Sequence, residues 1–352
     1  MPDHIPGTPF PLRPLGPSDR SGPIGHATSL PARPVDIALG RLARCLLLVM
    51  AAVCWTVWSS VALAAGPEPI PGMPGSGAAT SVSPAPAAAS DVEIVRREFA
   101  QAVTDKTRER LERMKKRKAL SETAFSLRAS RLAAASDAAY LAQAAQDAQT
   151  RLIPALGDNP PDQYFVYVDR NPSRQLIFLG FYDAAKATVA LVGGDLASTG
   201  LLRRGQDSFL TPTGVFEHLP DNFGYRAQGT KNQNGWRGLG GKGSRVWDFG
   251  YQQSPREFRQ GVYESQMRLL MHATDPDQGE PRLGRMDSKG CVRVSSDMNR
   301  FLDRRSILDR HYERLAAEKP GMWLLAPDRT PVSAPGSFLV VGDTSAAESA
   351  AR

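Results

Sequence analysis

Cysteine is almost missing from this chain. Three occur in 352 residues, and two of them, Cys45 and Cys54, sit inside one apolar run. The long portion that follows holds a single thiol, Cys291, which excludes a disulfide framework there. Metal patterns are missing too. No HExxH occurs, and His218, His272 and His311 show no zinc spacing. Gly238-Leu239-Gly240-Gly241-Lys242-Gly243 fits GxGxxG only in letters, since a β-like run follows it rather than a helix. A P-loop is excluded because Lys242 is followed by Gly243 instead of Ser or Thr. No Ser or Thr stands three residues before any lysine, so the SxxK acylation signature is absent. Long apolar runs are reduced to one, Cys45 to Ala65.

That run is 21 residues without a charge, preceded by Arg41 and Arg44. Residues 41–65 read as a signal peptide or a membrane anchor with the basic flank left inside. Ala62-Leu63-Ala64 fits a small-x-small cleavage site, and the length also suffices to span a bilayer. The preceding residues, 1–40, read as a disordered leader rich in proline. Residues 66–90 are a Pro/Ala/Gly/Ser linker. The net charge of +7 suits either contact with an anionic polymer or membrane surface, or solubility alone.

Residues 91–155 read as a helical stalk or hairpin. Ser90-Asp91-Val92-Glu93 forms a capping box, so a helix is expected to start there. Val95, Phe99 and Val103 recur at i+4, and a second helix is expected from about Glu122 to Leu152, stopped by Pro154. The run Lys115-Lys116-Arg117-Lys118 reads as a solvated face or a contact for anionic polymer. No aromatic interleaving points to nucleic acid, and none is expected as a partner. From about residue 160 the texture changes to short β-rich runs, with Asn171-Pro172-Ser173 as a hairpin turn and one helix from about Ser295 to Leu315. A mainly β, largely antiparallel domain is expected over 160–327, with a C-terminal extension over 328–352.

The chemistry-bearing candidate is Cys291. A thiol needs a base to become a nucleophile, and His272, ending the run MRLLMHA, is the best placed imidazole. The Gly-, Pro- and Asp-rich loop of 18 residues between them can fold back and bring the two to neighbouring edges, where the imidazole would hold the thiolate as an ion pair. Gly290 permits an unusual backbone angle, and the amides of Cys291 and Gly290 are candidate oxyanion donors. Ser288 reads as a hydrogen bond to the loop or the imidazole, or as a turn residue. Arg293, two residues on, shares the face of Cys291 and reads as a grip for a substrate carboxylate or as a structural ion pair. Trp236, Trp247, Tyr225 and Tyr251 read as groove lining or core. Without its flanking pattern, Cys291 itself reads as a small buried hydrophobe.

The pattern H-x15-S-K-G-C-V-R from His272 to Arg293 resembles the active-site signature of the bacterial cell-wall L,D-transpeptidases of YkuD type. TPTGVFEH, Thr211 to His218, is similar to that family's Thr-Pro-x-Gly-x-Phe segment. The resemblance covers roughly Gln163 to Pro327. It implies a β-sandwich or barrel with one or two helices. It also implies ping-pong acyl transfer: Cys291 attacks a peptidoglycan tetrapeptide stem, His272 acts as base and acid, and an amine of unspecified identity accepts the acyl group. Two positions depart from the family. Lys289 stands where it has His, a replacement cation beside the sulfur or a lost function. Ala273 stands where Gly or Ser is commoner and is expected to orient His272 through its carbonyl. The resemblance requires no cofactor and no metal, and places the protein in the periplasm or cell envelope, secreted across or anchored in the inner membrane through residues 45–65. Hydrolysis of the same stems, as an L,D-carboxypeptidase, or a catalytically degenerate envelope-binding protein are the alternatives. A papain-like order of Cys before His, and the Thr-x-Thr-Cys of sortases, are both absent.

Overall fold

The run QYFVYVD, Gln163 to Asp169, has no polar face, so a strand made of it needs cover on both sides. That requirement organises the fold. The computed structural model describes residues 85–203, 207–319 and 321–345; the expected leader, apolar segment and most of the linker lie outside them. Gln163–Asp169 forms β1, buried along its whole length. Alternate side chains enter separate cores: Tyr164, Val166 and Val168 join one, Phe165 and Tyr167 the other. Leu176–Asp183 forms β2 and divides the same way, with Ile177 and Leu179 opposite Leu176 and Phe178. Between them Asp169 Oδ1 accepts from the Asn171 amide at 3.0 Å and Asn171 Oδ1 from the Ser173 amide at 2.9 Å, a turn closed by side-chain acceptors.

The remaining strands are β3 (Thr188–Ser198), β4 (Gly214–Glu217), β5 (Tyr225–Arg226), β6 (Arg245–Phe258), β7 (Gly261–Ala273), β8 (Val292–Val294) and β9 (Phe338–Gly342). All nine make one sheet in the order β4-β9-β1-β2-β3-β8-β7-β6-β5. The β1–β9 and β7–β8 pairs are parallel and the others antiparallel. The sheet curls into a half-barrel preceded by helices, the mainly β architecture expected.

Those helices cover the sheet. Ala85–Phe99 (α1) runs through a π-helical turn, Ala100–Thr104, into Asp105–Lys116 (α2); Glu122–Ala134 (α3) and Ala138–Leu152 (α4) follow. Val95, Phe99 and Val103 enter the first core with 0% exposure. Leu111, Leu132, Tyr140, Ala144, Ala148 and Leu152 enter the second, against Phe165 and Phe178. Each large apolar side chain so buried contributes about 1.5–3 kcal/mol. The region expected as a stalk or hairpin therefore folds back as the cover of a sheet that has no polar face.

Four boundaries differ from the sequence expectation. The first helix begins at Ala85, inside the expected linker, because the Ala-rich stretch before Ser90 favours helix and Pro86 sits in its first turn. The helix expected over 122–152 is two, since the Asp137 side chain accepts from the Tyr140 amide at 2.8 Å and starts α4 anew. The helix after Cys291 also breaks, into Ser296–Arg304 (α5) and Arg310–Glu318 (α6), with Ser306 between them at φ +50°. Finally, the segment expected as a C-terminal extension supplies β9, an inner strand whose Leu339 and Val341 face one core and Phe338 and Val340 the other.

Candidate active site

Parallel pairing of β7 with β8 sets the site. Met271 lies beside Val292 and His272 beside Arg293. Alternation then puts His272, Arg293 and Cys291, which immediately precedes β8, on one face of the sheet. Cys291 is offset from His272 by two residues along the strand, roughly 6–7 Å. The thiol is free and partly exposed. Its Sγ lies 3.9 Å from the Arg268 carbonyl.

The loop carrying Cys291 is pinned at every residue. The Ser288 hydroxyl donates to the Cys291 carbonyl at 2.6 Å and accepts from the Gly290 amide at 3.1 Å. Thr211 Oγ1 donates to the Gly290 carbonyl at 2.7 Å and accepts from the Gly200 amide at 2.8 Å. The Phe209 amide donates to the Lys289 carbonyl at 3.3 Å, and the Leu201 amide to the Ser288 carbonyl at 3.1 Å. Gly290 has φ +127°, and a Cβ there would stand 2.8 Å from Met267 Cε, so only glycine fits without displacement. Its amide is committed to Ser288, which removes it from the expected pair of oxyanion donors and leaves the Cys291 amide as the candidate.

His272 is 3% exposed. Its Nδ1 lies 2.8 Å from the Ala273 carbonyl oxygen. A carbonyl only accepts, so Nδ1 carries the proton and Nε2 presents a lone pair. Ala273 thus holds the ring through its main chain. Its Cβ is packed so closely that a Cβ on Gly240 (φ +93°) would come within 2.7 Å of it, which places the Gly238–Gly243 loop against the site.

Burial governs the electrostatics of the pair. It pushes the Cys291 thiol up, against smaller opposing effects of the Leu270 backbone and Arg293. It pushes the His272 imidazole down to about 4, with Arg293 adding to the effect and the Ala273 carbonyl opposing it. Burial thus works against a charged thiolate and against a charged imidazolium alike. The cation in electrostatic reach of the sulfur is Arg293, whereas Lys289 is exposed and its ammonium makes no ion pair among the described residues.

Arg293 is itself paired, with Nη1 3.3 Å from Asp287 Oδ2. Its guanidinium lies 5.8 Å from the Trp236 ring centroid, and that of Arg268 5.1 Å from Tyr251. Trp247, by contrast, is core at 0% exposure. A second ionic cluster props the loop from the helical side. Arg110 Nη1 of α2 reaches Glu280 Oε2 at 3.2 Å and Asp297 Oδ2 at 3.1 Å, while Glu280 Oε1 accepts from the Ser296 amide at 2.9 Å. Sequence reading passed over Thr211, Asp287, Glu280 and Arg110. Thr211 stood in a quoted motif, but its grip on Gly290 spans 79 residues, and the others have no local pattern at all.

The family model for the L,D-transpeptidase catalytic domain, YkuD, matches residues 163–332. No curated protein matches the chain. The match begins with β1 and stops short of β9, and it leaves α1–α4 outside.

Proposed function

Residues 163–332 being an L,D-transpeptidase catalytic domain of the YkuD family, we propose that this chain transfers the acyl group of a peptidoglycan tetrapeptide stem through a thioester on Cys291. As Sγ attacks the carbonyl of the third stem residue, His272 Nε2 takes the thiol proton. The tetrahedral oxyanion is held by the Cys291 amide. His272 then gives its proton to the departing D-alanine nitrogen, the C–N bond breaks and a thioester remains. An amine attacks the thioester, His272 removes its proton, and the sulfur leaves and is reprotonated. Arg293 attracts the carboxylates of the stem. Ser288 and Gly290 hold the turn that aims the sulfur. We further propose that residues 45–65, uncharged behind Arg41 and Arg44, carry the domain across the inner membrane to the periplasm, where such stems occur.

The observation that supports this most is His272 Nδ1 fixed on the Ala273 carbonyl, which presents Nε2 as a base on the face that also carries Cys291. The test is incubation with purified tetrapeptide muropeptides and mass analysis of both protein and products. A thioester on Cys291 with loss of D-alanine is expected. Dimers joined between third residues identify transpeptidation, and plain loss of D-alanine identifies hydrolysis. The Cys291→Ala chain must give neither. Equal products from that variant remove the assignment.

A further inference from the structure

One carboxylate beside the site is surrounded by four guanidinium groups. Asp287 meets Arg203 Nη2 and Arg282 Nη1 at 3.2 Å, Arg293 Nη1 at 3.3 Å and Arg285 Nη2 at 3.7 Å. None of the four arginines has another acidic partner among the described residues. A structural ion pair needs one cation; this cluster holds three positive charges in excess. The surplus lies toward solvent. The Asp287 side chain is 8% exposed, whereas those of Arg282 and Arg285 are 49% and 48% exposed. Two of the planes are preset, since the guanidinium groups of Arg282 and Arg293 lie 5.2 and 5.8 Å from the Trp236 ring centroid. Like charges held at such distances repel one another. A second anion shared among them would relieve that repulsion.

We propose that these arginines form a subsite for a free carboxylate of the stem peptide, so that the chain distinguishes stems with a carboxylate from stems in which the same group is a carboxamide. This rests on the acyl-transfer reading and names its substrate class. Arg forks match a carboxylate bidentately, and a neutral carboxamide presents one acceptor and no charge to them. Asp287 occupies the floor of the subsite as an internal competitor. It keeps the cations assembled while the rim is empty. Arg293 joins the subsite to the chemistry, because it lies beside His272 in the strand register and within electrostatic reach of both His272 and Cys291.

The experiment compares two synthetic tetrapeptide stems, identical except that one side-chain carboxylate is amidated, on the full chain in detergent. Amidation is expected to raise KM about tenfold, or about 1.4 kcal/mol, with kcat changed by less than about twofold. Arg285→Ala, at the half-exposed rim, brings the two KM values together. Asp287→Asn, which removes the competitor, lowers KM for the carboxylate stem. A purely structural hub predicts the reverse pattern: a lower Tm for Asp287→Asn, no gain in affinity, and no difference between stems. Equal KM for the two stems in the unsubstituted chain, or an equal rise for both in Arg285→Ala, overturns the proposal. If Asp287→Asn does not fold, the Arg285→Ala comparison still decides. Calorimetric binding of both stems to Cys291→Ala separates this proposal from the one beneath it. Preferential binding of the carboxylate stem without acylation of the native chain sinks acyl transfer and leaves the subsite standing. Acylation by both stems with equal affinity does the opposite.

Discussion

Two imidazoles in this molecule have nearly the same surroundings and opposite prospects. His218, just after β4, and His272, in β7, are both buried. Both place Nδ1 near a main-chain carbonyl, Leu308 at 3.2 Å and Ala273 at 2.8 Å. Both are pushed down by burial, to about 3 and about 4. The difference is on the far side of the ring. His218 stacks on Tyr312, with centroids 4.6 Å apart, inside a sealed cage with Arg245 and Asp309, and its Nε2 is enclosed without a partner. His272 shares its sheet face with Cys291, which lies two residues before its strand partner Arg293. A buried neutral imidazole is therefore not a signature of a base. What counts is whether the second nitrogen faces a group that can give it a proton.

That contrast can be broken most sharply at the reacting pair. His272→Ala is expected to lower kcat for acyl transfer by about 10²–10⁴-fold, measured per titrated thiol, while the fold is kept. Retained turnover would make His272 as inert as His218. In the cage, Arg245→Met leaves Asp309 buried beside no cation, because Arg245 Nη2 is its partner at 2.9 Å. A loss of about 3–5 kcal/mol in denaturant unfolding is expected, with kcat per thiol unchanged among the molecules that remain folded. A fall in kcat as large as that of His272→Ala would erase the distinction between the two regions.

Acidification sharpens it further. An imidazole with a folded value near 3 and an unfolded value of about 6.5 binds fewer protons folded than unfolded between those limits, so the stability it contributes is complete above pH 6.5 and is lost as pH falls toward 3. The Tm advantage of the unsubstituted chain over His218→Gln should therefore shrink from pH 7 to pH 4. An advantage that stays constant would mean that His218 is not held neutral. The smallest effect is at the anchor of the cysteine loop. Thr211→Val keeps the shape and removes the bond to the Gly290 carbonyl, for an expected loss of about 1 kcal/mol in stability. Cys291 alkylation rates should rise with pH well past 9 in both forms, because burial holds the thiol up in either.

Much of this arrangement was legible in the chain before the fold was known, and the reason is locality. β1 and β2 announce themselves by apolar runs around an Asn-Pro-Ser turn. His272 and Cys291, with the loop that folds back between them, are contained in 20 residues. Sequence chose His272 over His218 by its place ahead of Cys291, but the sealed surroundings of His218, whose ring partner lies 90 residues away, are visible only in the fold. The docking of α1–α4 onto the sheet was hidden for a related reason. An amphipathic helix shows that it has a buried face, but not which surface covers it. The Asp287 and Glu280 clusters gather charges from segments that only the finished topology brings together. Burial, which works against both charged forms of the expected thiolate–imidazolium pair, is a property of the whole fold, and neither motif residue carries it.

The place of β9 has a consequence for how the polypeptide comes into being. This strand lies between β4 and β1, parallel to the latter, yet it follows every other described element in the chain. Until it arrives, β1 and β4 each present an open hydrogen-bonding edge, and the rows Leu339/Val341 and Phe338/Val340 are missing from both cores. A chain truncated at Val332, where the family match stops, would hold every catalytic candidate and lack the strand that joins β4 to β1, with the margin of each left free to pair with other chains. The five-residue strand Phe338–Gly342 is thus what ties β4 to the rest of the sheet and covers the free margin of β1.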